Sequence, residues 1–172
     1  MTQSGPRHPR GPATVVLLNG ASSAGKSSTA RALQRVARRP FFHVAMDDFL
    51  GMMPVAGSVD PQGLMFTPVH APGAPAELAI RMGPLAGSVL HAMRRAVAAM
   101  ADDGLDLIVD EVLLGGEAEA DYRRLLARHR LLLVGIDLPL ALLEERERAR
   151  GDRLPGRRAG RRRAFTPAAA TT

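Results

Sequence analysis

Apolar residues fall along this chain in short runs, separated by stretches with helical spacing or turn chemistry. The first run, "TVVLLNG" at 14–20, is continuous, carries β-branched residues and ends at a glycine. That is the pattern of a strand buried on both faces. Ser27 to Arg39 then sets Ala30, Leu33 and Val36 at helical spacing, and Pro40 ends the helix. "FFHVAMDDF" predicts a second strand that runs out into two aspartates. From Gly51 to Pro75 the motifs "MMPVAG", "SVDPQG" and "TPVHAPGAP" predict a long loop. Loops of that length in compact domains are usually functional or mobile. Glu77 to Asp103 reads as a long helix with a weak point at Gly83-Pro84. "LDLIVDEVLLGG" is a third strand, Ala118 to His129 a helix and "LLLVGIDLP" a fourth strand. Pro139 to Arg150 reads as a helix entered through a proline in its first turn. Strands alternating with helices predict an α/β fold, a three-layer sandwich with a parallel sheet and helices on both faces.

Composition narrows this picture. A chain of 172 residues, 46% hydrophobic and 23% charged, is long enough for one soluble globular domain. No apolar run reaches the roughly 20 residues needed to span a bilayer, so no membrane partner is expected. The first 13 residues are charged and rich in Pro and Gly, and predict a disordered leader rather than a secretory signal. Cysteine is absent, which excludes disulfides and thiolate metal sites and agrees with a cytoplasmic address. The net charge of +6 is local. Arg146 to Arg163 holds nine arginines against Glu147 and Asp152, and the remainder is close to neutral. Such a tail can bind nucleic acid without specificity or close over nucleotide phosphates, and no specific nucleic-acid partner is expected. Lysine occurs once, as Lys26.

That lysine belongs to "GASSAGKSS", where Gly20, four spacers and Gly25-Lys26-Ser27 follow a strand and open a helix. This is the context a phosphate-binding loop requires. Backbone amides from Gly20, Ala21, Ser22, Ser23, Ala24, Gly25 and Ser28 would surround the phosphates of ATP. Lys26 would reach the β- and γ-phosphates, and Ser27 would ligate Mg²⁺. In open parallel sheets ligands bind beyond the carboxyl ends of the strands, where Asp47, Asp48, Asp110 and Glu111 fall. Asp47 suits the base that orients an acceptor hydroxyl. Asp110, after "LIV", suits the acid beside Mg²⁺. Asp48 reads as a turn cap and Glu111 as solvated. His43, His70, His91 and His129 show no metal-ligand spacing. Met46, Met52, Met53 and Met65 surround the long loop and suit an apolar acceptor pocket as well as ordinary packing.

"LLNGASSAGKSS", "VAMDDFLGMMP", "LIVDEVLLGG" and "ERARGDRLPG", in that order and spacing, resemble the chloramphenicol phosphotransferase family from about Thr14 to Gly156. The resemblance implies a fold like nucleoside monophosphate kinases, with a five-stranded parallel sheet. It implies ATP-dependent phosphorylation of a primary hydroxyl, with Asp47 as general base and Arg146, Arg150 and Arg153 as lid arginines. Family members continue past the lid with a last strand and a helix. Here residues 157–172 are instead Arg-, Ala- and Pro-rich, which predicts a disordered tail without the closing strand. A GC-rich gene read in a shifted frame would have that composition, which resequencing tests.

The leading expectation is therefore a small-molecule O-phosphotransferase with chloramphenicol or a related hydroxylated compound as acceptor. A kinase of an anionic metabolite such as gluconate or shikimate is the second. Between Phe41 and Val89 only Arg81 is available to bind an anion, which favours a neutral acceptor. A non-catalytic nucleotide- or nucleic-acid-binding protein is the third, supported by the basic tail alone.

Overall fold

The computed structural model describes residues 11–54, 61–69, 77–139, 141–143 and 145–146. Four parallel strands form the main sheet: β1 (Thr14–Gly20), β2 (Phe41–Ala45), β5 (Asp106–Glu111) and β6 (Arg130–Ile136), in the order β2-β5-β1-β6. The helices are α1 (Lys26–Val36), α2 (Met46–Gly51), α3 (Pro84–Asp102) and α4 (Gly116–Leu125). A separate antiparallel hairpin joins β3 (Leu64–Val69) to β4 (Glu77–Met82).

β1 is apolar from Val15 to Leu18 because both of its faces are covered. Val15 and Leu17 meet Leu107 and Val109 of β5, Leu90, Met93 and Val97 of α3, and Tyr122 of α4. Val16 and Leu18 meet Ile108 and, from α1, Ala30. The α/β sandwich is thus the one the sequence predicts. Burying a leucine such as Leu17 contributes about 2–3 kcal/mol, and Leu17→Ala should cost about 2–5 kcal/mol. At the amino ends of the strands, Asp106 accepts the Thr14 N–H (2.6 Å) and pairs with Arg39 (2.7 Å). His129 Nδ1 accepts the Ala13 N–H (3.2 Å), while its Nε2 faces Asp102 at 2.8 Å. These polar clamps leave the carboxyl ends of the strands to the site.

Four expectations are corrected. The second strand stops at Ala45, and Met46 begins a short helix whose first turn carries Asp47 and Asp48. Negative charge there complements the helix dipole. The long loop contains β3, and the long helix is in fact β4 followed by α3. "ELAIRM" is composed largely of good helix formers, yet Leu78, Ile80 and Met82 alternate with Ala79 and Arg81. Pairing with Leu64–Val69 decides in favour of the strand. The Gly83 N–H donates to the Gly63 carbonyl (2.7 Å) and that of Ala86 to Gln62 (3.0 Å), so α3 starts only at Pro84. Glu111 is buried rather than solvated, for reasons given below.

Among the described residues β6 pairs with β1 alone, and Leu132, Leu133 and Val134 are exposed. Residues 141–143 and 145–146 are helical, inside the expected Pro139–Arg150 helix. The tail of residues 157–172, where no closing strand is expected, lies outside the described residues, as do Arg150 and Arg153. No described helix is long and apolar enough to cross a membrane.

Candidate phosphoryl-transfer site

The loop between β1 and α1 turns on backbone conformations that few residues adopt. Ser23 has φ 61° and Gly25 φ 97°, both left-handed. Such turns aim successive N–H groups to one side, forming a concave anion site. At Gly25 a side chain would be strained by conformation, and its Cβ would lie 3.3 Å from Arg146 Nη1. Arg146 therefore reaches the phosphate loop, where the resemblance places a lid arginine. Ser22, Ser23, Gly25, Lys26 and Ser27 line one cleft of about 190 Å³ together with Asp47 and Asp110. Gly20, Ala21 and Ala24 build the turn itself, and Ser28 is exposed on α1.

Lys26 is buried, and its Nζ donates to the carbonyls of Gly20 (2.9 Å) and Ala21 (3.0 Å). It stands 3.8 Å from Asp110 Oδ1. Ser27 Oγ donates to Asp110 Oδ2 at 2.5 Å. Burial pushes the Asp110 carboxyl up, but the His43 ring, the Ser27 hydroxyl and the Lys26 charge outweigh it and hold it below the usual range. Asp110 is thus an ionised carboxylate beside a hydroxyl and an ammonium. Ser23 Oγ is buried without a hydrogen-bond partner among the described residues. An unpaired buried hydroxyl in an inward-turned loop fits an anion with acceptor oxygens. The donor set also fits Mg²⁺, which takes one or two protein oxygens and completes its shell with phosphate and water. No group of three or more His, Cys, Asp or Glu able to hold a metal occurs among the described residues.

Asp47 lies just past β2, in the first turn of α2, and lines the cleft. Asp48 also lines the cleft and is not the cap, since Ala45 holds that position and no side chain caps the helix. Of the four methionines only Met46 lines the cleft.

Two cleft residues escape the sequence reading. Arg31 lies four positions beyond Ser27, one helical turn along the same face of α1. His43 lies two positions before Ala45, which pairs with Asp110, so strand alternation puts it on the same face of the sheet. Its Nε2 is 3.7 Å from Asp110 Oδ2. Both signals are periodicities, and that of His43 matters only once the neighbouring strand is known.

Glu111 points to the opposite face. It accepts from Tyr122 Oη (2.5 Å) and pairs with Arg94 Nη1 (3.2 Å), whose Nε meets Asp121 at 3.2 Å. Burial raises its pKa even against these partners. It ties β5 to α3 and α4 and leaves the chemistry to Asp110.

The family model of chloramphenicol phosphotransferase-like proteins matches residues 13–169. The chain belongs to that family. The match continues past Gly156 into the stretch that the sequence motifs leave out. A candidate O-phosphotransferase of Mycobacterium tuberculosis strain H37Rv is 31% identical over 165 residues, spanning 87% of this phosphotransferase-like chain and 68% of the relative. Solved structures agree on the fold. An adenosine phosphosulfate kinase of M. tuberculosis, in complex with AMPPNP and APS, gives a TM-score of 0.57 at 18% identity, over 80% of this chain and 69% of that one. A gluconokinase of Sinorhizobium meliloti gives 0.52 at 18%, over 86% and 70%. The Pnkp1/Rnl/Hen1 RNA repair complex gives 0.63 at 17%, over 95% of this chain but under half (45%) of the chain it matches. The molecule is a P-loop phosphotransferase of kinase-like α/β fold.

Proposed function

We propose that this chain transfers the γ-phosphoryl group of ATP to a hydroxyl of a small molecule. The observation that carries the reading is one cleft lined by Lys26, Ser27, Asp110 and Asp47. It brings a phosphate loop, a metal-side acid and a second carboxylate within reach of a single ligand. Lys26 would leave its carbonyl partners and hold the β- and γ-phosphates as a point charge. Ser27 and Asp110 would hold Mg²⁺, which when bound neutralises phosphate charge. Asp47 would orient the acceptor hydroxyl and take its proton. Arg146, over the loop, would steady charge on the transferred group, with Arg150 and Arg153 as further lid residues on the strength of the resemblance.

A neutral hydroxylated acceptor, chloramphenicol among them, is the preferred class, because Asp47 and Asp48 face it. Arg31 weakens the argument from scarce cations and favours, as a second reading, a metabolite carrying one anionic group. An ATP-consumption screen of the purified chain against hydroxylated antibiotics and anionic metabolites separates the two. Lys26→Ala should abolish every acceptor-dependent signal. ATP consumption that no acceptor stimulates, with salt-sensitive binding to unrelated DNA, would favour a nucleic-acid-binding protein instead.

A further inference from the structure

Asp110 is approached from two sides. Ser27 Oγ, from α1, donates to Oδ2 at 2.5 Å. His43, from β2, turns its Nε2 to the same oxygen at 3.7 Å. That nitrogen is buried and has no hydrogen-bond partner among the described residues. Among the described residues, the carboxylate paired with it is Asp110. Register explains the aim. β2 and β5 run parallel with Ala45 beside Asp110 and His43 beside Ile108, so His43 and Asp110 share one face of the sheet, two positions apart along the strands. The other oxygen, Oδ1, is left facing Lys26 at 3.8 Å.

We propose that His43 is a positioning residue that, with Ser27, clamps Oδ2 of Asp110 and so fixes the plane of the carboxylate beside Ser27 and Lys26, where Mg²⁺ would be held. This rests on the phosphotransferase reading above. A carboxylate oxygen has two lone-pair directions and accepts both donors. One donor alone leaves the carboxylate free to pivot about the Ser27 bond, whereas two donors from different elements fix its plane. A ring N–H donor needs about 2.7–3.2 Å, so a small rotation of Asp110 or a slight approach of β2 to β5 closes the second bond. His43 touches neither acceptor nor phosphate in this scheme. It acts through Asp110, as outer-shell partners of metal-binding groups generally do.

The test is Mg²⁺ titration of fluorescent N-methylanthraniloyl-ATP binding by the full chain, with no acceptor present. His43→Ala should raise the half-saturating Mg²⁺ concentration about tenfold, the lower end of outer-shell effects. Nucleotide affinity in EDTA should stay within about twofold, since the loop and Lys26 are untouched. His43→Gln keeps a side-chain N–H donor and should restore Mg²⁺ dependence to within about threefold of wild type. Should His43→Ala fail to fold, His43→Leu, which fills the volume without a donor, is held to the same criteria. An unchanged Mg²⁺ midpoint in the Ala or Leu variant overturns the proposal, as does a Gln variant as impaired as either. If the wild type itself binds nucleotide without regard to Mg²⁺, or not at all, the phosphotransferase reading fails and this one with it.

Discussion

Asp47 and Asp48 are adjacent, exposed, in the same helical turn and on the same cleft, so the residue scale must separate two carboxylates by direction alone. Asp47→Asn keeps size and one acceptor atom but removes the basic charge. Turnover should fall by about 10²–10⁴, the usual share of a positioned acid–base group, with ATP affinity within a few-fold of wild type. Asp48→Asn should lose less than about tenfold. Steady-state assays beside nucleotide titration check both, and equal losses would move the base assignment. The cradle was legible because its chemistry depends on spacing within a dozen residues. Asp110 was legible as an acid following an apolar strand. Arg31 was not, although it stands one turn beyond Ser27 on α1, and His43 was not, because it enters the cleft only through a neighbour distant in sequence. Glu111 was misread for the same reason. An acid at a strand end is normally hydrated, and only Arg94 and Tyr122, from two other helices, make its burial tolerable.

Elements were legible wherever burial on both faces produced an unbroken apolar run, as in β1 and β5. The hairpin was hidden because β4 uses helix-forming residues and runs directly into a real helix, so that only a two-residue alternation distinguishes it. The buried polar group joining β5, α3 and α4 makes a testable joint. Tyr122→Phe keeps the ring and removes one donor to a buried carboxylate. It should destabilise the fold by about 2 kcal/mol, read as a shift of the urea midpoint at unchanged slope. At the far end of α3, Arg128 and then His129 draw the Asp102 carboxyl below its ordinary value of 3.8. Its folded pKa is depressed, so its contribution is present above pH 3.8 and is lost as pH falls through the lower, folded value. The stability of wild type should therefore drop below pH 4, and Asp102→Asn should make that drop shallower. Because the pair is exposed, 1 M salt should shrink the difference.

For the molecule as a whole, the four described parallel strands direct Lys26, Ser27, Asp47 and Asp110 to one end, while the polar clamps of Asp106 and His129 close the other. Ligand binding at that end should be felt globally. MgATP at a hundred times its dissociation constant stabilises the folded state by about 2.7 kcal/mol. For a domain of this size that raises Tm by about 5–10 °C. Calorimetry should show the rise in wild type and its absence in Lys26→Ala. The burial of the chain's one lysine has a practical corollary. Apart from the amino terminus, this protein offers amine-directed reagents a single target, hidden in the fold and engaged by the loop carbonyls. Acylation at Lys26 followed by mass spectrometry thus counts, in one peptide, the fraction of molecules that are unfolded. Protection by added nucleotide converts the same peptide into a gauge of occupancy, with no competing background from a lysine-coated surface.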